Sequence, residues 1–458
     1  MAYRPLKTLF FVTLHSWVTP VSLNYNLMTL KKLFLQVLLV ALAFPLFAQE
    51  TLTATTNADT VKTVAPLATD SLLHVDSTLS APTVDPATWR QQVKTQIDEL
   101  LEDDLFQTTQ VAVMVWDLTD DVAVYSHNGR QRMRPASTMK VVTAIAALDR
   151  LGTDYQFATR LYHTGDKADS CRTLHGNLYV VGGMDPKLER EDLKAFADSL
   201  KALQIDTIDG NLYADLSFKD KKRLGAGWCW DDEDDNPRLS PLTYNGKETV
   251  LSLFRDVMRS SGIVFTGMTS DAERPHDAQL VCTRYRSLST VMRPMLKNSN
   301  NRCAEAVFYQ LAHKEGGRWA TAHDAAREEN RTIRATGLDA DDYSIADGSG
   351  LSLYNYVTAQ LEVRLLRYAW SRKEIYGKLY PLLPIAGVDG TLRKRMKGTK
   401  AMGNVHAKTG TVTGVRSLAG YCTASNGHEI AFSIINQGVD DGAPARHFQD
   451  KVCRALCE

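Results

Sequence analysis

The sequence predicts an α/β fold of the α+β kind, in which both ends of the folded chain build one domain and a β-rich module is inserted between them. Three observations predict it. Helical apolar periodicity opens and closes the folded part. Hairpin signals stand beside those helices. The middle of the chain breaks into short β-like runs separated by turn residues. A chain of 458 residues is also too long for one core, so two or three domains are expected.

The first segment in order reads as targeting sequence. Lys31 and Lys32 precede an apolar run from Leu33 to Phe47 that ends at Ala48, the pattern of a secretory signal peptide over residues 1–48. The run is short for a membrane span, and no Cys follows it to take a lipid anchor. An uncleaved anchor is the rival reading. Met28 stands just before the two lysines and reads as an alternative initiator to Met1. Residues 49–87, rich in Thr, Ala, Asp and Ser, read as a flexible linker. Removal of residues 1–48 leaves 49 basic against 53 acidic side chains, a net of −4, and no stable membrane span. No basic field remains to point to nucleic acid. A 44% hydrophobic and 23% charged composition excludes wholesale disorder and a multi-span membrane protein.

Order is expected from Trp89. Val93, Ile97, Leu100, Leu101 and Leu105 recur at helical spacing over residues 89–106. Val111 to Tyr125 reads as a hairpin turning at Asp120-Asp121. Ser137 to Leu151 reads as a helix with so wide an apolar surface that burial between layers is expected. The stretch 161–285 is the expected module. Within it, Gly176-Asn177-Leu178-Tyr179 and Gly210-Asn211-Leu212-Tyr213 look like one strand entry repeated 34 residues apart, too few copies for a solenoid. Residues 286–315 and 355–372 look helical. Ser417–Ala424 and His428–Gln437 are apolar-rich strands around the Asn426-Gly427 hairpin signal, and Phe448, Val452 and Leu456 lie four apart on a closing helix. Segments 88–160 and 286–458 are therefore expected to form one domain. Seven cysteines at irregular spacing contain no Cys-x-x-Cys pair, so a zinc ribbon is not expected. A disulfide is compatible with export, but spacing does not pair them.

Three short boxes carry chemistry. In Ser137-Thr138-Met139-Lys140 the first and last residues share a helix face, which sets the hydroxyl beside the amine. The serine N–H lies among the free donors of a helix start and can face an oxyanion. A lysine with an ordinary pKa of about 10.4 acts as a base only when burial or another cation lowers it. Taken alone, the box reads as an N-cap and a surface lysine. Lys408-Thr409-Gly410 sits in β-like sequence. There Lys408 supplies positive charge, Thr409 a hydroxyl, and Gly410 room for a substrate to approach the backbone; alone it is a solvated strand edge. Ser299-Asn300-Asn301 lies between two apolar helical patterns and alone reads as a cap or turn.

In this order the boxes are those of penicillin-binding proteins and serine β-lactamases. With Gly176–Gly183, Asp347–Ser352 and Ala386–Leu392 added, residues 89–458 resemble the D-alanyl-D-alanine carboxypeptidase/endopeptidase family, the class C low-molecular-mass penicillin-binding proteins. The resemblance implies a penicillin-binding, serine β-lactamase-like domain with an antiparallel sheet flanked by helices. It implies Ser137 as nucleophile, Lys140 as its base, Ser299 as relay to the leaving amine and Asn301 as binder of the acyl donor's amide. Lys408 and Thr409 would hold the substrate carboxylate. The N–H groups of Ser137 and Thr411 would form the oxyanion hole, and Arg416 would assist the carboxylate. The implied substrates are peptidoglycan stem peptides and cross-bridges, with β-lactams as covalent inhibitors, in a periplasmic or extracellular location. No metal or organic cofactor is implied. Asn300 stands where many relatives carry Asp, and the 162-residue interval from Ser137 to Ser299 points to a reduced insert. A serine β-lactamase is the nearest alternative, although no convincing loop Glu for fast deacylation is legible. A catalytically idle cell-wall binding protein is another, disfavoured by three intact boxes.

Overall fold

The structure, a computed structural model, describes residues 85–168, 172–229, 236–313 and 318–458. The segments read as signal peptide and most of the linker lie outside the described residues. The chain enters at helix α1 (Pro86–Leu101), whose N-cap Asp85 accepts the Thr88 N–H at 3.0 Å. Strands β1 (Gln110–Asp117) and β2 (Val122–His127) form the expected hairpin, followed by helix α2 (Met139–Arg150). The module holds β3 (Gln156–His163), β4 (Asp166–Ala168), β5 (Thr173–His175), β6 (Leu178–Val181), α3 (Arg190–Ala202), β7 (Thr207–Asp209), β8 (Leu212–Asp215), α4 (Val250–Ser260), β9 (Val264–Phe265), β10 (Thr269–Asp271) and β11 (Gln279–Ser287). Then come α5 (Leu288–Lys297), α6 (Asn301–Ala312), α7 (Ala322–Ala335), α8 (Ala359–Trp370), α9 (Lys373–Leu379), β12 (His406–Val412), β13 (Gly414–Thr423), β14 (Glu429–Val439) and α10 (Gly442–Cys457).

One five-stranded antiparallel sheet, ordered β12-β13-β14-β1-β2, joins the two ends of the chain. Val113 of β1 stands opposite Ile434 of β14, more than 300 residues along the sequence. Strand alternation explains why this sheet is central. Val111, Val113 and Val115 point to one side with Ile430, Phe432 and Ile434, where Trp89, Val93 and Ile97 of α1 meet Phe448, Val452 and Leu456 of α10. Ala112, Met114, Ala431 and Ile435 point to the other side, into the core built on α2. Every residue of α2 from Met139 to Leu148 is buried, as its unbroken apolar surface requires. Arg90, Asp117 and His428 clamp α1 to the sheet, with Asp117 Oδ2 2.8 Å from both partners. Asp117, Asp120 and His428 stand close enough to ligate a cation, and Arg90 pairs with both carboxylates there.

The module differs from its sequence outline in two respects. Its strands begin at Gln156 and end at Ser287, beyond the expected limits of 161 and 285, and it carries helices α3 and α4 among short strands. Two sheets, β10-β8-β6-β3-β11 and β4-β5-β7-β9, share a third core with those helices. The 34-residue repeat is real: β5 pairs with β7 and β6 with β8 in parallel, Leu178 opposite Leu212 and Tyr179 opposite Tyr213. Strands β9 and β10 add a third rung that the sequence alone does not reveal. Each rung passes from one sheet to the other at a glycine. Asn177 Oδ1 accepts the Asn211 N–H at 2.8 Å, and Asn211 Oδ1 accepts the Met268 N–H at 2.9 Å, so each Asn closes the rung after it.

The stretch 286–315 is not one helix. β11 runs into it as far as Ser287, whose hydroxyl caps α5. α5 runs past Pro294 to Lys297, and the turn at Asn298–Asn300 ends it before Asn300 caps α6. The six described cysteines are free thiols. Among the described residues no helix is long and apolar enough to cross a membrane.

The glycine stack can be tested. A Cβ at Gly210 would lie 2.0 Å from the Gly176 carbonyl oxygen, and one at Gly267 1.9 Å from that of Gly210. Gly210→Ala is expected to destabilise the protein by roughly 1–3 kcal/mol, read by chemical denaturation. An unchanged midpoint would show that the rungs tolerate a side chain there.

Candidate active site

The first box does not open α2 as a plain helix start. Ala136–Thr138 form a single 3-10 turn ahead of Met139, with Ala136 in the left-handed region at φ 48°. Strain of this kind is retained where surrounding contacts impose it, and here they do. Ser417 Oγ and Thr138 Oγ1 both donate to the Pro135 carbonyl, at 2.5 and 2.8 Å. Gly350, with φ 82°, passes so close that a Cβ there would lie 1.8 Å from the Ala136 oxygen. The half-buried Ser137 is thereby set at the mouth of the site, one turn before Lys140.

Lys140 is completely buried. Its Nζ stands 2.8 Å from Ser137 Oγ, 2.8 Å from Asn301 Oδ1 and 2.7 Å from the Ser349 carbonyl oxygen. Asn301 is the first residue of α6, which the Asn300 cap orients; Asn300 itself faces the Cys303 N–H rather than the site. Ser299 precedes it in the left-handed region at φ 58° and accepts a hydrogen bond from Lys408 Nζ at 2.9 Å. Lys408 lies on β12, fully buried, and also donates to the Thr409 carbonyl at 2.6 Å. Burial pushes the Lys408 amine well below the ordinary lysine range, and the nearby Lys140 adds to the effect. Ser137, Lys140, Ser299, Asn301 and Lys408, drawn from three distant parts of the chain, thus form one cluster.

The remaining candidates are placed differently. Thr409 bonds the Thr391 hydroxyl at 2.7 Å, and Thr411 presents an exposed side chain further along β12. At Gly410 the close approach is made by the chain itself. A Cβ there would meet Ser417 Oγ at 1.9 Å, the Pro135 oxygen at 2.7 Å and the Ser137 nitrogen at 3.0 Å. The glycine therefore lets β12 lie against the serine turn, where the sequence reading expected a substrate. Arg416 is engaged away from the cluster: its guanidinium donates to the Val412 and Val415 carbonyls at 3.0 and 2.8 Å and packs over Gly442.

This geometry has known counterparts. The profile of the D-Ala-D-Ala carboxypeptidase 3 (S13) family matches residues 93–245 and 242–456. The chain belongs to this family. A curated relative, a D-alanyl-D-alanine carboxypeptidase of Actinomadura sp., is 29% identical over 80% of this chain and 85% of its own. A second, the D-alanyl-D-alanine carboxypeptidase DacB of Haemophilus influenzae, is 25% identical over 73% of this chain and 86% of its own. The crystal structure of penicillin binding protein 4 from Haemophilus influenzae superposes with a TM-score of 0.71 at 24% identity, covering 78% of this chain and 98% of that one. The same protein complexed with a novel β-lactam gives 0.66 at 25% identity, over 78% and 98%. The carboxypeptidase fold expected from the sequence is the fold observed, and the S13 chain is a serine-type hydrolase of D-Ala-D-Ala peptides.

Sequence reasoning missed the residues behind the cluster. Glu305 lies four residues after Asn301, on the same face of α6, and is buried. It accepts the Ser349 N–H at 2.9 Å, while the Ser349 carbonyl accepts from Lys140. Burial and the nearby Asp347 raise Glu305 to about 8. Glu329 is likewise buried and held well above the carboxylate range, first by burial and then by Glu305 and Asp347 despite a contribution from Thr143. The signal available in the sequence was the i, i+4 spacing from Asn301 together with the Asp347–Ser352 stretch.

Glu305 is thus a positioning residue whose charge appears only in alkaline solution, where it would favour the Lys140 ammonium over the free amine. Glu305→Gln keeps an acceptor for Ser349 and removes that charge. The two proteins are expected to be acylated by a penicillin at matching rates below about pH 7, with the variant several-fold faster at pH 9. A loss uniform across pH would leave Glu305 a structural role only.

Proposed function

We propose that Ser137 attacks the carbonyl between two D-alanines of a peptidoglycan stem peptide, or of a cross-bridge, and carries the acyl group as an ester. The carrying observation is Lys140 Nζ at 2.8 Å from Ser137 Oγ in a buried site, where Asn301 Oδ1 and the Ser349 carbonyl oxygen also hold the amine in place. Neutral Lys140 takes the hydroxyl proton as the Oγ–C bond forms. The backbone N–H groups of Ser137 and Thr411 receive the oxyanion. The C–N bond then breaks, and Ser299 relays a proton to the departing amine. Water enters, the ester C–O bond breaks, and Ser137 recovers its proton.

Asn301 serves twice in this reading, fixing Lys140 and offering its amide to the acyl donor. Lys408 serves the substrate carboxylate through charge. Burial lowers its amine well below the ordinary lysine range, and an arriving carboxylate supplies a counter-ion that favours the ammonium. Lys408 also fixes Ser299. The Thr409 hydroxyl, joined to Thr391, stands beside it. Arg416 keeps a part by holding the β12–β13 turn. A penicillin enters as a substrate mimic and leaves Ser137 acylated, as expected of a family whose Haemophilus influenzae relative was crystallised with a β-lactam. The site of action is periplasmic or extracellular, consistent with the pattern at residues 1–48. Segments 88–160 and 286–458 act as the catalytic domain, with the intervening module shaping access.

Incubation of the mature protein with a penicillin is expected to add one acyl group by mass spectrometry, and Ser137→Ala to add none. An equal adduct on the variant would remove Ser137 from its role. Lys140→Met should slow acylation roughly 100- to 10,000-fold, the usual weight of a positioned general base. Rapid release of hydrolysed penicillin would favour a β-lactamase instead. Intact cell-wall fragments then separate loss of terminal D-alanine from cleavage of cross-bridges.

A further inference from the structure

A second cavity, of about 510 Å³, opens where the module meets the far end of α6. The outward face of β3 forms one wall through Arg160 and Tyr162, alternate residues on the strand. Its floor is the Gly182-Gly183 turn, pinned by Gln310: Gln310 Nε2 donates to the Gly183 carbonyl at 2.8 Å, and Tyr155 Oη donates to Gln310 Oε1 at 2.6 Å. Arg274 lies over the Tyr162 ring at 4.4 Å, and Phe218 stacks on His313 with centroids 4.2 Å apart. The walls are therefore two flat, preformed stacks.

The charge in this cavity is unbalanced. Among the described residues, Arg160, Arg274 and Arg318 line it against one carboxylate, Asp215. Asp215 is occupied by the backbone N–H groups of Ser217 and Arg274, at 2.9 and 2.8 Å. Arg318 is paired with Glu273 at 2.7 Å. Arg274 is held by its ring and by the Pro275 carbonyl at 2.9 Å. Arg160 has no hydrogen-bond or ion-pair partner among the described residues, although it is partly buried. His313 Nδ1 is buried and lacks a partner there too. Burial, and after it the Arg160 guanidinium, lowers the His313 imidazole, which is therefore neutral at pH 7 and offers a hydrogen bond rather than charge. Among the described residues no carboxylate pairs with this guanidinium, and a bound anion would supply one.

We infer that this cavity binds a carboxylate-bearing cell-wall peptide or muramoyl peptide, with Arg160 as its anion contact. The volume falls within the ordinary range for a small-ligand site. Flat aromatic walls suit a sugar or peptide plane, and a bidentate guanidinium suits a carboxylate. Helix α6 links the two places: Gln310 follows Asn301 by nine residues, about 13 Å along the axis at 1.5 Å per residue. The ligand's identity rests on the proposed function, whereas the anion site does not.

The test uses the full mature chain after penicillin treatment, so that Ser137 is blocked and the mass of the adduct reports separately on the proposed function. N-acetylmuramoyl-L-alanyl-D-glutamate is titrated by calorimetry, beside its fully amidated analogue and inorganic phosphate. Saturable binding of the carboxylate probe to the acylated protein is expected, at least tenfold weaker for the amide and lost in Arg160→Glu. Arg160→Glu should keep the wild-type rate of penicillin acylation, which also shows that it folds. Equal binding by Arg160→Glu, equal binding of the amide, or no binding at all would overturn the inference. Phosphate binding tighter than the peptide would overturn its carboxylate assignment. If penicillin leaves no adduct, the same titration on the unmodified protein still decides the cavity.

Discussion

A buried lysine amine with three oxygen partners is the constraint on which the site depends. Lys140 Nζ reaches Ser137 Oγ, Asn301 Oδ1 and the Ser349 carbonyl, so one atom ties α2, the start of α6 and the 347–352 loop together. An amine taken out of water needs such partners. All three are acceptors, so the arrangement tolerates the ammonium while burial opposes it. Burial of this kind is the general condition under which a lysine can serve as a base, the role proposed here for Lys140. Lys408 repeats the device on the opposite wall, holding Ser299.

The central sheet exists to bring these pieces to one place. β2 leads towards the serine turn, β12 carries Lys408 and Gly410, and β13 supplies Ser417 to the Pro135 carbonyl. Because β14 separates β1 from β13, the sheet cannot close until the last strands of the chain are made. Glycines set the final distances: Gly410 admits the serine turn against β12, and Gly350 admits the loop against Ala136. Small residues at these two positions do the work of positioning that larger residues would obstruct.

The module obeys a different logic. Its rungs are nearly independent turns of chain, each closed by an Asn side chain on the next and each bent at a glycine. Such local repetition builds a stiff wall from little sequence. That wall presents β3, and with it Arg160 and Tyr162, to the end of α6. Helix α6 thus touches both the lysine cluster, through Asn301 at its start, and the Gly182-Gly183 turn, through Gln310 near its end.

The sequence by itself determined the elements whose information is local. Alternation in β1, the apolar-rich run of β14, the wide apolar surface of α2 and the Asn426-Gly427 turn are properties of short windows, and the residues of each window are enough to read them. The three boxes were legible because motif order survives without coordinates. Only the tertiary structure decided what depends on distant neighbours. The third rung of the module was hidden because Gly267 lacks the Asn-Leu-Tyr that marks the other two. The start of the first helix only at Leu288 depended on pairing of β11 with β3, which runs to Ser287. Glu305 was invisible as a partner of Ser349, 44 residues away, and Gly410 faced its own chain rather than a ligand. Burial, close approach and charge balance are properties of packed pairs, and no single stretch of sequence contains both members.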